Sequence, residues 1–210
     1  ELSADNDNWY FAIADLQFPS SGGSSGSFSL PSARFMIAPG KVLYLQSTSL
    51  TLGELDLLPG SLIYSYSGAR VKTFNGCMTV WPGDPAPFIQ VYGGYELDIF
   101  GELRGTGDFT LRSYQYWSDY SSGTVGFYSV ATNFHGKFYV TALQNNRTEN
   151  KFYRVRLRDG RSLGGPYTGS TPLRSIEFKN AQVSIEGDVV VDEPSRGVMF
   201  SGTTLVDVAE

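Results

Sequence analysis

Glu96 and Asp98 stand two residues apart in the stretch YELDIFGELR, with Glu102 further along. On a β-strand such positions share one side, and two carboxylates flanking a sugar bond are what a glycosidase requires. The same spacing is that of a solvent-facing strand side, and this plainer reading also covers Glu54 and Asp56 in LGELDLL. Other catalytic devices are thinner. His135 is the only histidine, so any Ser-His-Asp or Cys-His arrangement must use it, and a site of several imidazoles is excluded. It sits in the turn-like stretch ATNFHGKF, where a solvated loop residue is expected. No serine lies in a nucleophile-elbow sequence. Asp5 and Asp7 in SADNDN lack the glycine and distal glutamate of a calcium loop. Cys77 is the single cysteine, which rules out an intrachain disulfide and a thiolate metal cage and reads as a small buried hydrophobe. The chain is therefore expected to be non-enzymatic, with no catalytic residue, no metal and no cofactor.

Binding chemistry is better represented. The stretch RSYQYWSDYSSG crowds Tyr114, Tyr116, Trp117 and Tyr120 against a polar turn. Arg112, Tyr114 and Tyr116 share one strand side, while Phe109, Leu111 and Ser113 share the other. Rings with polar tips suit a partly wet surface, so packing between sheets, a subunit interface and stacking on a ligand all remain open. In KFYRVRLRDG, Arg154, Arg156 and Arg158 alternate with Val155 and Leu157. They give either a solvated outer face or a patch for acidic glycans. The candidate receptor or ligand contacts are thus Arg112, Tyr114, Tyr116, Trp117, Asp119, Tyr120, Arg154, Arg156 and Arg158. Asn146-Arg147-Thr148 is a formal glycosylation acceptor at what reads as an exposed hairpin tip.

The elements that must carry these groups are strands. Of 210 residues, 24 are glycine and only 18% are charged, against about 25% in an average globular chain. Alternation with period two recurs from WYFAIADLQF to DVVVD, giving roughly fourteen or fifteen strand candidates. They are separated by PG, SG, NG and PGDPAP turns and by the mobile-looking loop PSSGGSSGS. ARFMIA and KVLYLQS flank Pro39-Gly40 and read as a hairpin. TLGELDLL alone could pass for a short helix, and Gly53 weakens that reading. Repeats of 20 to 50 residues are not visible, which argues against a propeller or solenoid. The expectation is an all-β fold: a single compact domain spanning 1–210, built of many short antiparallel strands as a barrel or sandwich.

The net charge of −5 and the scattered 16 Lys and Arg argue against nucleic-acid binding. No apolar run reaches the ~20 residues of a bilayer span, so no membrane insertion is expected. The chain opens ELSADNDN without Met, and is expected to be part of a longer polypeptide.

In its size, strand density, acidity and aromatic/Ser/Gly character, and in its acidic end DVVVDEPSRGVMFSGTTLVDVAE, the chain resembles the astrovirus capsid spike. Projecting domains of hepeviruses, nodaviruses and tombusviruses are neighbours in the same class. The resemblance implies a compact β-barrel on the virion surface as an outer capsid projection. It also implies a homodimer that attaches to a host-cell receptor, which could be a glycan, and is met by neutralising antibodies. It assigns no role to any single residue. The alternatives are a carbohydrate-binding module of a secreted bacterial protein, or a glycosidase-like enzyme using Glu96 or Asp98.

Overall fold

The computed structural model describes residues 9–18, 26–114, 123–142, 153–157, 176–179, 181–186, 198–201 and 205–208. Every strand pairing among them is parallel. The chain coils as a β-solenoid with three faces, its strands numbered here in chain order. The first face stacks the leading halves of β3 (Ser27–Ile37), β5 (Ser49–Leu57) and β7 (Val71–Val80). It continues through β9 (Glu96–Phe100), β12 (Thr124–Phe127), β15 (Tyr153–Leu157), β17 (Ala181–Ile185) and β19 (Leu205–Val208). The second face stacks β1 (Trp9–Ala12), the trailing halves of β3, β5 and β7, then β10 (Glu102–Gly105) and β13 (Val130–Phe134).

The third face is a separate sheet. It holds β2 (Leu16–Phe18), β4 (Val42–Leu45), β6 (Leu62–Ser65), β8 (Phe88–Tyr92), β11 (Phe109–Tyr114), β14 (Phe138–Ala142), β16 (Ile176–Lys179) and β18 (Val198–Ser201).

This overturns the expected antiparallel barrel or sandwich, and with it the barrel implied by the spike resemblance. The alternation reflects strands whose side chains point in turn inside and outside the coil. It is silent on strand direction, since parallel and antiparallel strands share the two-residue period. Pro39-Gly40 illustrates the second trap. It joins β3 to β4, which lie in different sheets, so the turn is a corner of the coil and not a hairpin. In the stretch TLGELDLL, residues 51–57 belong to β5 and form strand, not helix.

The missed repeat has a similar cause. Ser27, Ser49, Thr73, Asp98, Gly126, Arg156 and Ser184 stand one above another, at steps of 22, 24, 25, 28, 30 and 28 residues. The step varies and the aligned residues differ in type, so identity does not repeat; only the inward pattern does. Inside the coil, Leu50, Phe74, Ile99, Phe127 and Leu157 form one column. Leu43, Ile63, Ile89, Leu111, Val140 and Phe178 form another. All of them are buried. Where the first face turns into the second, Gly76 and Gly101 adopt φ of 145° and 109°. A Cβ at Gly101 would collide with the carbonyl of Gly76, so this corner needs glycine on successive turns.

One inward position breaks the apolar rule. Lys72 shares the column of Leu97 and Val125 and is wholly buried. Its Nζ donates to the Ala69 carbonyl at 2.5 Å and lies 4.4 Å from the centre of the Tyr95 ring. Burial brings its pKa down to about 8. Below that pH the buried ammonium is charged, and it costs up to about 3 kcal/mol relative to a lysine in water. The cost fades as pH rises from 8 towards the ordinary lysine value. Lys72→Met, similar in length and uncharged, should therefore raise the urea-unfolding free energy by about 1–3 kcal/mol at pH 7. At pH 9.5 the gain should shrink by more than half; a destabilised variant at pH 7 would contradict this account.

Candidate functional site

Each face presents its outward residues in rows along the coil, and three groups emerge. On the second face, Arg34 donates through Nε and Nη2 to Asp56 at 2.6 and 3.0 Å. Trp81 Nε1 donates to the same carboxylate at 2.8 Å. Glu54 accepts from Thr79 Oγ1 at 2.8 Å and pairs with Arg34 at 3.3 Å. The Arg34 guanidinium lies 3.9 Å from the centre of the Trp9 ring. One turn further, Arg104 and Asn133 both donate to Glu102. Asp56 is thus fully buried and not the solvent-facing residue that its alternation implied. Its partners come from strands on either side, and a network satisfied in this way fastens turns together. Cys77 lies half-buried on this face, its thiol pKa raised chiefly by burial.

The first face brings together residues far apart in sequence. Arg156 Nη1 donates to Glu96 Oε1 at 2.5 Å, and its Nε lies 3.6 Å from Glu186. Between them Asp98 stands over Gly126. A Cβ at Gly126 would collide with Asp98 Oδ1 and the Tyr128 ring, so glycine leaves room for the carboxyl. Asp98 Oδ1 is sealed from solvent without a hydrogen-bond partner. Burial, then the neighbouring Glu96, push the Asp98 pKa up to about 6, with Glu186 adding and Arg156 opposing. Tyr128 is pushed up to about 12, first by burial and then by Glu186, and it stacks on Phe100 at 5.2 Å. Among the described residues no group of three or more His, Cys, Asp or Glu is placed to hold a metal ion.

The third face carries rings. Tyr64 and Tyr66 stack with centres 4.8 Å apart and planes 21° apart. Tyr44 lies 5.9 and 5.8 Å from them. Tyr92, one turn on, is 5.8 Å from Tyr64 and 6.3 Å from Tyr66. Inward neighbours Leu43, Leu45, Ile63 and Val91 are buried, so the pleat turns the tyrosines outward. Gln46 donates to the Tyr66 hydroxyl at 3.3 Å and accepts from Gln17 at 2.6 Å. This makes a half-wet platform of four rings over three successive turns, bordered by amides.

The sequence candidates divide between faces. Arg112 points outward on the third face, its guanidinium 4.2 Å from the centre of the Phe88 ring. Tyr114 is the register partner of Tyr92. Arg156 lies on the first face, and Arg154 is in β15 between Thr124 and Gln182. Arg156 is thus on a different face from Arg112, and it is tied up by carboxylates. Tyr116, Trp117, Asp119, Tyr120, Arg158 and the Asn146 acceptor lie outside the described residues, as do Asp5 and Asp7. Sequence reasoning missed Tyr44, Tyr64, Tyr66 and Tyr92. Their signal was a tyrosine near the same end of the consecutive stretches KVLYLQS, SLIYSYS and FIQVYG, which means something only once those stretches are stacked.

Protein-family models, curated proteins and solved structures were compared with the chain, and none matches it.

Asp98 has a measurable consequence. Its folded pKa lies above its ordinary value, so the stability it permits at low pH is lost as pH rises from about 4 through about 6. Two units correspond to about 3 kcal/mol, which partial exposure reduces to about 1.5 kcal/mol. Asp98→Asn, which mimics the protonated form, should be more stable than the parent by about that amount at pH 7.5 and equal to it at pH 4. Denaturant titrations at both pH values check this, and a variant weaker than the parent at pH 7.5 would contradict it.

Proposed function

We propose that the chain is a non-enzymatic glycan-binding protein and that the tyrosine platform of the third face is its contact surface. The observation that carries this reading is the cluster of Tyr44, Tyr64, Tyr66 and Tyr92 on one solvent-facing sheet, with Gln17 and Gln46 beside it. Sugars offer apolar C–H faces and a rim of hydroxyls; rings stack on the first, and amides and phenols bond the second. Tyrosine supplies such area at small entropic cost. Attachment to host glycans, the role implied by the spike resemblance, would use the same surface. We extend the proposal to a homodimeric projection on a virion, an extension supported by composition and not by architecture.

A second reading rests on Asp98. A carboxyl with pKa about 6 beside Glu96 is in the range of a general acid. It predicts glycoside turnover that vanishes in Asp98→Asn, whereas the binding reading predicts no turnover in either protein.

The test of the binding reading is Tyr66→Ala against the parent on a glycan array. Weak glycan affinities near millimolar total only about −4 kcal/mol, so losing about 1.4 kcal/mol of stacking should weaken binding about tenfold. Thermal stability should fall only slightly, because Tyr66 is one of the exposed rings. Unchanged binding in a folded variant would remove the platform from the proposal.

A further inference from the structure

The tyrosine platform does not end in neutral surface. Gln17, Tyr44, Tyr64, Gln90 and Arg112 stand in register on five successive strands of the third face. Adjacent strands are about 4.8 Å apart, so the row spans about 19 Å along the coil. An extended pyranose chain advances by a similar step per sugar. Each turn of the solenoid can therefore meet one sugar of a chain lying along the axis.

Arg112 gives this row a cation that no described carboxylate compensates, and the row runs on through Thr141 to Lys179. Arg112 Nε is buried and has no hydrogen-bond partner. Its guanidinium rests on Phe88, and among the described residues it makes no ion pair with a carboxylate. Its register neighbours Gln90 and Thr141 are neutral. The strands of this face carry one carboxylate, Glu177, which is held by Lys137 at 2.7 Å. They also carry a second cation, Lys179, two strands beyond Arg112. Burial alone shifts Arg112, downward, with no acid contributing. The contrast with three other described arginines is sharp, while Arg70 is exposed to solvent. Arg34, Arg104 and Arg156 each grip a carboxylate, and the chain as a whole is acidic. A half-buried guanidinium beside a ring platform, left without an acid, is suited to one supplied from outside.

We infer that the third face binds extended anionic glycans along the solenoid axis, with the sugars over Tyr44, Tyr64, Tyr66 and Tyr92 and a carboxylate or sulfate at Arg112. The inference deepens the glycan-binding reading and rests on it. It also reassigns the acidic-glycan contact from the row Arg154, Arg156 and Arg158, where Arg156 is neutralised, to Arg112.

The experiment is calorimetric titration of the parent, Tyr66→Ala, Arg112→Gln and Arg112→Lys with three probes. They are hexagalacturonate, its fully methyl-esterified and hence neutral form, and a sulfated chondroitin hexasaccharide. The parent should bind hexagalacturonate about tenfold more tightly than the ester in low salt, and the gap should close as salt is raised. Arg112→Gln should erase the gap by weakening hexagalacturonate to the level of the ester, and Arg112→Lys should retain part of it. Tyr66→Ala should weaken all three probes. Hexagalacturonate carries carboxylates only, so a gap between it and its ester assigns the carboxylate, and tighter binding of the sulfated chondroitin, which holds both groups, adds sulfate to what Arg112 accepts. An equal affinity of the parent for acid and ester, or a gap that survives in Arg112→Gln, overturns the anionic inference and leaves the platform standing. No binding of any probe by the folded parent overturns both. If Arg112→Gln does not fold, the salt dependence of the parent and the Arg112→Lys titration decide the matter.

Discussion

The whole structure depends on the inward columns landing on one another. A parallel strand cannot return to its neighbour through a tight turn; it needs a crossover of a dozen or more residues. Here the crossover is the rest of the coil. Each turn must bring Phe74 over Leu50, Ile99 over Phe74 and Phe127 over Ile99, because a slip of one residue would turn every core side chain outward. Between those fixed points the corners are free to vary. The steps between aligned residues therefore drift from 22 to 30 while the columns stay continuous. Where the corner is tight, as at Gly76 and Gly101, the backbone of one turn touches that of the next, and a side chain has no room.

The same register organises the outside. Residues one turn apart become neighbours about 4.8 Å away, so the surface is made of rows and not of local sequence. Whether a row is mortar or a contact surface depends on whether its polar groups are satisfied from within. Asp56 collects donors from Arg34 and Trp81 and is closed. Arg156 is shared between Glu96 and Glu186. On the third face the rings of Tyr44, Tyr64, Tyr66 and Tyr92 pack on one another, and Arg112 Nε is a donor without a hydrogen-bond partner.

Strand content and the inside–outside assignment of Phe109, Leu111 and Arg112 could be read from alternation, which is a one-dimensional property. Direction, corner and register are relations between stretches, and the turns Pro39-Gly40 and Asn75-Gly76 serve a corner as well as a hairpin. Three alternating arginines looked like one cationic face because nothing local reveals that Glu96, sixty residues earlier, lies against Arg156. The isolated Arg112 looked ordinary for the same reason. Glu54 and Asp56 are separated by a single residue, yet one is half-buried and the other sealed, a distinction made by Arg34 and Trp81 on neighbouring turns.

The two costly ionisable groups also act together. Asp98 faces Glu96 and Glu186 from strand and corner, with Arg156 and Tyr128 alongside, and its penalty is complete once pH exceeds about 6. Lys72 faces only the Ala69 carbonyl and the Tyr95 ring, and its penalty is complete until pH passes about 8. Between those values both charged forms are present in the fold, and neither is well compensated. Small domains are usually most stable somewhere between about pH 5 and 8. This chain should instead show a shallow stability minimum there, rising by about 0.5–1 kcal/mol towards pH 5 and by about 1 kcal/mol towards pH 9. Glu102, whose pKa is lowered first by its bond from Arg104, opposes the acid limb only below the ordinary carboxylate range. Unfolding free energies measured at half-unit intervals from pH 5 to 9 test the profile. The double variant Asp98→Asn, Lys72→Met should flatten it, and a parent profile with its maximum at pH 7 would show that these two groups do not govern stability.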